Sequence, residues 1–97
     1  MVEGFATPGE VLRTDPNVIA ERVHDDLVLV HMGTNRIYSL NSTAARVWEL
    51  LSESFSVSRI QETLRAEFDV DDRQLSSEME TLLASLSAEQ LIGPTVA

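Results

Sequence analysis

The spacing of apolar residues changes at Leu40 and divides the chain into a strand half and a helix half. Before that point, Val18 to Val23 is rich in β-branched residues, and Leu27-Val28-Leu29-Val30-His31-Met32 is a continuous apolar run of strand length. Asp25 and Asp26 lie between them, where a turn is needed. Gly33-Thr34-Asn35 supplies a second turn, because Gly and Asn tolerate the positive φ of tight hairpin loops, and Arg36 to Leu40 reads as a third short strand. The pattern predicts a three-stranded antiparallel β-meander.

After Leu40 the period is helical. Asn41-Ser42-Thr43 offers side-chain oxygens to the free N–H groups that open a helix, and Ala44, Val47, Trp48 and Leu51 then fall three and four apart. This predicts a first helix over about Thr43 to Leu51. Ser56 or Ser58 can cap a second, in which Ile60, Leu64 and Phe68 recur every fourth residue while Arg59, Glu62, Arg65 and Glu67 line the outside. Asp69 to Asp72 ends it. The third helix, from about Asp72 to Leu86, carries Leu75, Met79, Leu82, Leu83 and Leu86 on one stripe, with Asp71 and Asp72 at its positive end. The expected fold class is therefore α+β, a meander followed by three helices.

With 97 residues, 43% of them hydrophobic, the chain is expected to build one domain with one thin core. Residues 1–16 hold two glycines, two prolines and scattered apolar side chains, and read as a flexible arm outside the core. Residues 17–93 form the domain and 94–97 a short tail. Asp and Glu number 16 against 7 Lys and Arg, all seven arginines, for a formal charge of −9 that repels a phosphate backbone. No nucleic-acid partner is expected. The chain has no cysteine, which removes disulfides, thiolate metal sites and cysteine nucleophiles together. The first 15 residues lack the flank and apolar run of a signal peptide, and no apolar stretch approaches a membrane span, so the expected location is the cytoplasm, with no membrane partner.

The residues that carry chemistry form no catalytic or metal pattern. His24 and His31 are the only histidines, and they read as structural or surface groups, since zinc would need carboxylates at spacings that match no known set. Asp69, Asp71 and Glu80 occupy the first, third and twelfth places of a calcium loop, but Arg73 and Gln74 stand where a ligand and the turn glycine are required. None of the serines lies in G-x-S-x-G, and no glycine loop can cradle a phosphate. The chain is expected to have no cofactor and no catalytic activity. A surface remains. The run from Leu27 to Met32 is apolar on both faces, and three helices cover one face of so small a sheet. The other face is covered by the N-terminal arm or a dimer mate, is tolerated exposed, or awaits a partner. The third strand contains no Pro or Lys to blunt pairing, so its edge is open to an extended peptide or to a second copy.

Read in order, Leu27-Val28-Leu29-Val30, Thr34-Asn35-Arg36-Ile37-Tyr38-Ser39-Leu40-Asn41 and Thr43-Ala44-Ala45-Arg46-Val47-Trp48-Glu49-Leu50-Leu51 resemble the PqqD family, with its apolar strand, turn, Y-x-L-N and A-x-x-I/V-W-x-L. The likeness runs from about Val18 to Gly93, through Ser58-Arg59-Ile60, Leu64 and Phe68-Asp69-Val70, to Leu91-Ile92. One departure is that Glu53-Ser54-Phe55 replaces the usual glycine after the first helix. The resemblance implies a winged-helix-like domain that recognises the leader region of a ribosomal precursor peptide. In that family the leader adds as a strand beside the third strand of the sheet, against the last helix. Carried onto this chain, the implied peptide-binding residues are Asn35, Arg36, Ile37, Tyr38, Ser39 and Leu40 on the edge, and Leu75, Glu78, Met79, Leu82 and Leu83 on the wall. Ile37 and Ser39 are the expected backbone partners. A stand-alone member of this kind resembles the recognition protein of lasso-peptide pathways, which implies a leader-cleaving cysteine protease and a cyclase as partners. Two alternatives remain: delivery of a precursor to a radical-SAM enzyme in pyrroloquinoline quinone biosynthesis, and winged-helix DNA binding. The second is disfavoured because the last helix offers only Arg73 among Glu78, Glu80 and the nearby Glu89.

Overall fold

The computed structural model of the chain describes residues 11–94. In chain order the elements are β1 (Leu12–Thr14), β2 (Val18–Val23), β3 (Asp26–His31), β4 (Arg36–Leu40), α1 (Ser42–Ser52), α2 (Val57–Glu67), α3 (Asp72–Ala88) and β5 (Ile92–Pro94). Strands β2, β3 and β4 form the expected antiparallel meander, with β3 in the middle. The fold is the α+β arrangement of a meander backed by three helices.

Alternation along the strands separates two faces. Leu27, Leu29, His31 and Leu40 point inward and are buried, while Ile19, Val23 and Ile37 are exposed on the other side. The first hairpin turns at His24-Asp25, one residue earlier than expected, and His24 takes the positive φ (58°). In the second hairpin the positive φ belongs to Asn35 (62°) and not to Gly33. Gly33 serves another purpose: a Cβ there would lie 3.0 Å from Cε1 of His31. Its N–H donates to Nδ1 of His31 at 3.0 Å, which leaves the ring proton on Nε2, facing the carbonyl oxygen of Gln90 at 3.1 Å. Buried His31 is thus structural, tying the hairpin to the end of α3.

Each helix starts on a side-chain cap. Asn41 accepts from Ala44 N–H, Ser56 from Arg59 and Asp71 from Gln74. Helices α1 and α3 end alike. Ser54 (φ 66°) and Gln90 (φ 63°) adopt the left-handed conformation, and their N–H groups donate to Leu51 and Ser87. The next residues, Phe55 and Leu91, then donate to Leu50 and Leu86, which satisfies the last carbonyls. Ser54 thereby fills the position where the sequence lacks a glycine. Arg46 on α1 is bidentate to Glu67 at the end of α2, with contacts of 2.8 to 3.2 Å, and also reaches Glu49. These hydrogen bonds lower the Glu67 pKa below, and raise the Arg46 pKa above, their ordinary values.

One core unites the sheet's inner face with α1, α2 and α3, through residues such as Leu29, Val47, Leu51, Ile60, Leu64 and Leu83. It also takes in Leu12, 1% exposed, and this corrects the reading of residues 1–16 as an arm outside the core. Strand β1 pairs antiparallel with β5, Leu12 opposite Pro94 and Thr14 opposite Ile92, so Pro94 belongs to a strand and not to a tail. Burial of a leucine is worth about 1.5 to 3 kcal/mol, enough to hold a three-residue strand that has no propensity signal of its own. The remainder of the expected arm and tail, residues 1–10 and 95–97, lies outside the described residues.

Candidate functional site

The meander has two margins, and hydrogen-bond phase decides which backbone groups each exposes. Met32 N–H donates to Asn17 C=O on the β2 side, so His31, one residue earlier, directs its N–H and C=O toward β4. His31 is opposite Arg36, Leu29 opposite Tyr38 and Leu27 opposite Leu40. Arg36, Tyr38 and Leu40 therefore spend their backbone groups on β3, whereas Ile37 and Ser39 present two N–H and two C=O groups to the open side.

Helix α3 lies along that open side and runs antiparallel to β4. At one end of the groove is a cleft of about 210 Å³, with Asn41, Thr43, Ala44 and Val47 facing Leu75, Glu78, Met79 and Leu82. Its floor is apolar, and exposed Glu78 stands at its rim. At the other end a shallower cleft of about 450 Å³ lies between Thr34, Arg36 and Tyr38 on one side and Ala88, Glu89 and Gln90 on the other. Here the groove is bridged: Tyr38 O–H donates to Glu89 at 2.7 Å, and Arg36 reaches the same oxygen at 3.4 Å. The bond to Glu89 raises the Tyr38 pKa above its usual value. The groove thus has one end with an apolar floor beneath a polar rim and one polar, hydrogen-bonding end.

Of the eleven residues proposed from sequence, eight fall into three groups in this geometry. Tyr38 and Arg36 line the polar cleft; Leu75, Glu78, Met79 and Leu82 line the apolar one; Ile37 and Ser39 carry the open backbone groups. Asn35 is the turn residue that launches β4. Leu40 and Leu83, 7% and 2% exposed, belong to the core and line neither cleft. Sequence reasoning missed the contribution of α1, whose Thr43, Ala44 and Val47 close the apolar cleft, and that of Glu89 across from Tyr38. No local signal marks either one, because both are placed by helix packing. Among the described residues, no group of three or more His, Asp and Glu side chains could hold a metal ion, and no helix is long and apolar enough to cross a membrane.

A small α+β domain with a winged-helix-like order of elements and an unpaired strand margin facing a helix is the class this geometry defines. The family model described as coenzyme PQQ synthesis protein D (PqqD) matches residues 26–92, and the chain belongs to that family. Among solved structures it is similar to TbiB1 in complex with the TbiA(beta) leader peptide, with 24% identity, a TM-score of 0.80, and coverage of 88% of this chain and 99% of that one. It is likewise similar to a lasso peptide synthetase B1 complexed with the leader peptide, with 21% identity, a TM-score of 0.78, and coverage of 87% and 99%. Among curated proteins no match is found.

Proposed function

We propose that this chain is a non-catalytic recognition protein that captures the leader region of a ribosomal precursor peptide by strand addition at β4. The observation that carries the reading is the groove itself: Ile37 and Ser39 leave N–H and C=O groups open on β4, and a cleft with an apolar floor begins at Asn41, one residue beyond that strand, and runs against α3. The leader peptides named in the two similar structures, and membership of the PqqD family, support it.

Magnitudes explain why edge and wall are both needed. Four backbone hydrogen bonds at about 0.5 to 1.5 kcal/mol each give about 2 to 6 kcal/mol. Ordering a flexible leader costs about 2 to 5 kcal/mol, so pairing alone leaves little surplus. One or two apolar leader side chains in the cleft, at about 1.5 to 3 kcal/mol each, supply the affinity. The net charge of −9 favours a leader carrying basic residues and speeds its approach at low salt.

In this reading the protein acts in the cytoplasm and presents the bound precursor to a leader-cleaving cysteine protease and a cyclase of a lasso-peptide pathway. A second reading, delivery to a radical-SAM enzyme of pyrroloquinoline quinone biosynthesis, is favoured by the description of the matching family. DNA binding finds no such support, because α3 presents one arginine, Arg73, beside Asp72, Glu78 and Glu80.

Fluorescence anisotropy with labelled leader peptides from a lasso precursor and from a pyrroloquinoline quinone precursor separates the two pathways. Saturable binding of the lasso leader, with none for its core peptide, is the expected result. Absence of binding to either leader overturns the recognition role.

A further inference from the structure

Helix α3 ends against its own electrostatics. Its 17 residues leave a partial negative charge at the C-terminal end, no basic residue lies in the last turn, and the residue that caps it is Glu89. Glu53 takes the same place after α1, but it is exposed, so water solvates its charge. Glu89 is set differently. It lines the polar cleft with Thr34, Arg36 and Tyr38, and its side chain is 40% exposed. Tyr38 O–H and Arg36 both reach Oε1 of this carboxylate, and among the described residues no donor reaches Oε2. Arg36, 66% exposed and 3.4 Å away, is screened by water and compensates the charge only in part. A carboxylate at a helix C-terminus goes against local preference, and such departures concentrate at functional sites.

We propose that Glu89 is a specificity-determining residue, which pairs with a Lys or Arg side chain of the bound leader. The proposal rests on the leader-recognition reading and names what one end of the groove selects. A cation there meets the free oxygen of Glu89 and the negative end of α3, whereas an acidic side chain is repelled by both, and the net charge of −9 adds to each effect at longer range. Spacing follows from the strand. Arg36 and Tyr38 stand five and three residues before Asn41, where the apolar cleft begins. A leader paired with β4 turns alternate side chains toward α3, so its apolar anchor and its cation are separated by an even number of residues, about four. Glu78, the other carboxylate of the groove, is exposed at the rim of the apolar cleft, where water screens it, which leaves Glu89 as the discriminating group.

The test is a charge-swap cycle read by fluorescence anisotropy on the full-length chain. The probes are labelled copies of a lasso-precursor leader with Lys, Gln or Glu placed in turn at positions two, four and six residues to either side of its apolar anchor. At one position Lys should bind about fivefold tighter than Gln, with Glu weaker still. Glu89→Gln, which keeps an acceptor for Tyr38, should abolish that preference. Glu89→Arg, which the helix end favours, should reverse it, so that the Glu peptide binds best. Glu89→Gln alone decides if circular dichroism shows the arginine variant unfolded. Glu53→Arg changes the net charge equally, outside the groove, and should leave the preference intact. A Lys preference found at no position, or lost as fully in Glu53→Arg as in Glu89→Arg, overturns the proposal, and so does one that survives Glu89→Gln but falls in Glu78→Gln. In each of those outcomes the leader still binds and the recognition role stands; a chain that binds none of the peptides fails at the first measurement and removes both.

Discussion

The two margins of the sheet are alike in their backbone and different in what stands next to them. On β2, the same hydrogen-bond phase turns Ala20 and Arg22 outward, so that margin also offers unpaired groups. Beside it the inner surface carries exposed Ala20, and Arg22 is tied down by Glu49 of α1. On β4, the inner surface continues into half-buried Tyr38 and then across a groove to α3. A peptide at β2 would gain hydrogen bonds alone; at β4, in the proposed reading, it would gain hydrogen bonds and apolar burial. A free edge is common in small sheets, and what makes one a site is the wall beside it.

The sharpest way to break this comparison is to remove one outward N–H from each margin. Ser39→Pro deletes a donor on β4 and should lower leader affinity by about tenfold or more, whereas Ala20→Pro, its counterpart on β2, should leave that affinity unchanged; anisotropy reads both. Equal losses would mean that the two margins are equivalent, and the groove assignment would fall. Next in size is Leu82→Glu, which places a charge at the half-buried position of the α3 wall. It should weaken the leader by about tenfold while the melting temperature stays close to that of the parent chain.

A third variant separates stability from recognition. Ser54→Gly relieves the left-handed φ of 66° after α1, far from either margin. It should add about 1 kcal/mol to the unfolding free energy measured in urea and leave leader affinity as it was. The smallest effect concerns pH. Arg46 holds the folded-state pKa of Glu67 below the unfolded value, so the contribution of this pair is present above the ordinary carboxylate range and is lost as pH falls through the depressed value. Because both side chains are partly exposed, solvent screens the pair, and Glu67→Gln should lower the melting temperature by a few degrees at most near neutral pH. That difference should vanish in acid, and a difference that persists there would assign the loss to packing.

What could be read from the chain was whatever depends on near neighbours. Arg36–Leu40 appears as the strand expected from the turn before it and the helix cap after it; α1, α2 and α3 start within a residue or two of the capping oxygens of Asn41, Ser56 and Asp71. Hydrophobic period and capping chemistry act over three or four residues, and a single sequence displays them. Three features needed the folded chain. Leu12 joins the core only because β5, some eighty residues later, returns beside it, and a three-residue strand shows no period. Gly33 leaves room for the ring of His31, a contact whose other half is the carbonyl of Gln90. The groove is closed by Thr43 and Ala44 at one end and by Glu89 at the other, because α1 and α3 pack at a particular angle and depth. Sequence determined which segments would be strands and helices, since local bonding decides that; the tertiary structure decided which edge faces a groove, since a wall exists only once distant elements have packed beside it.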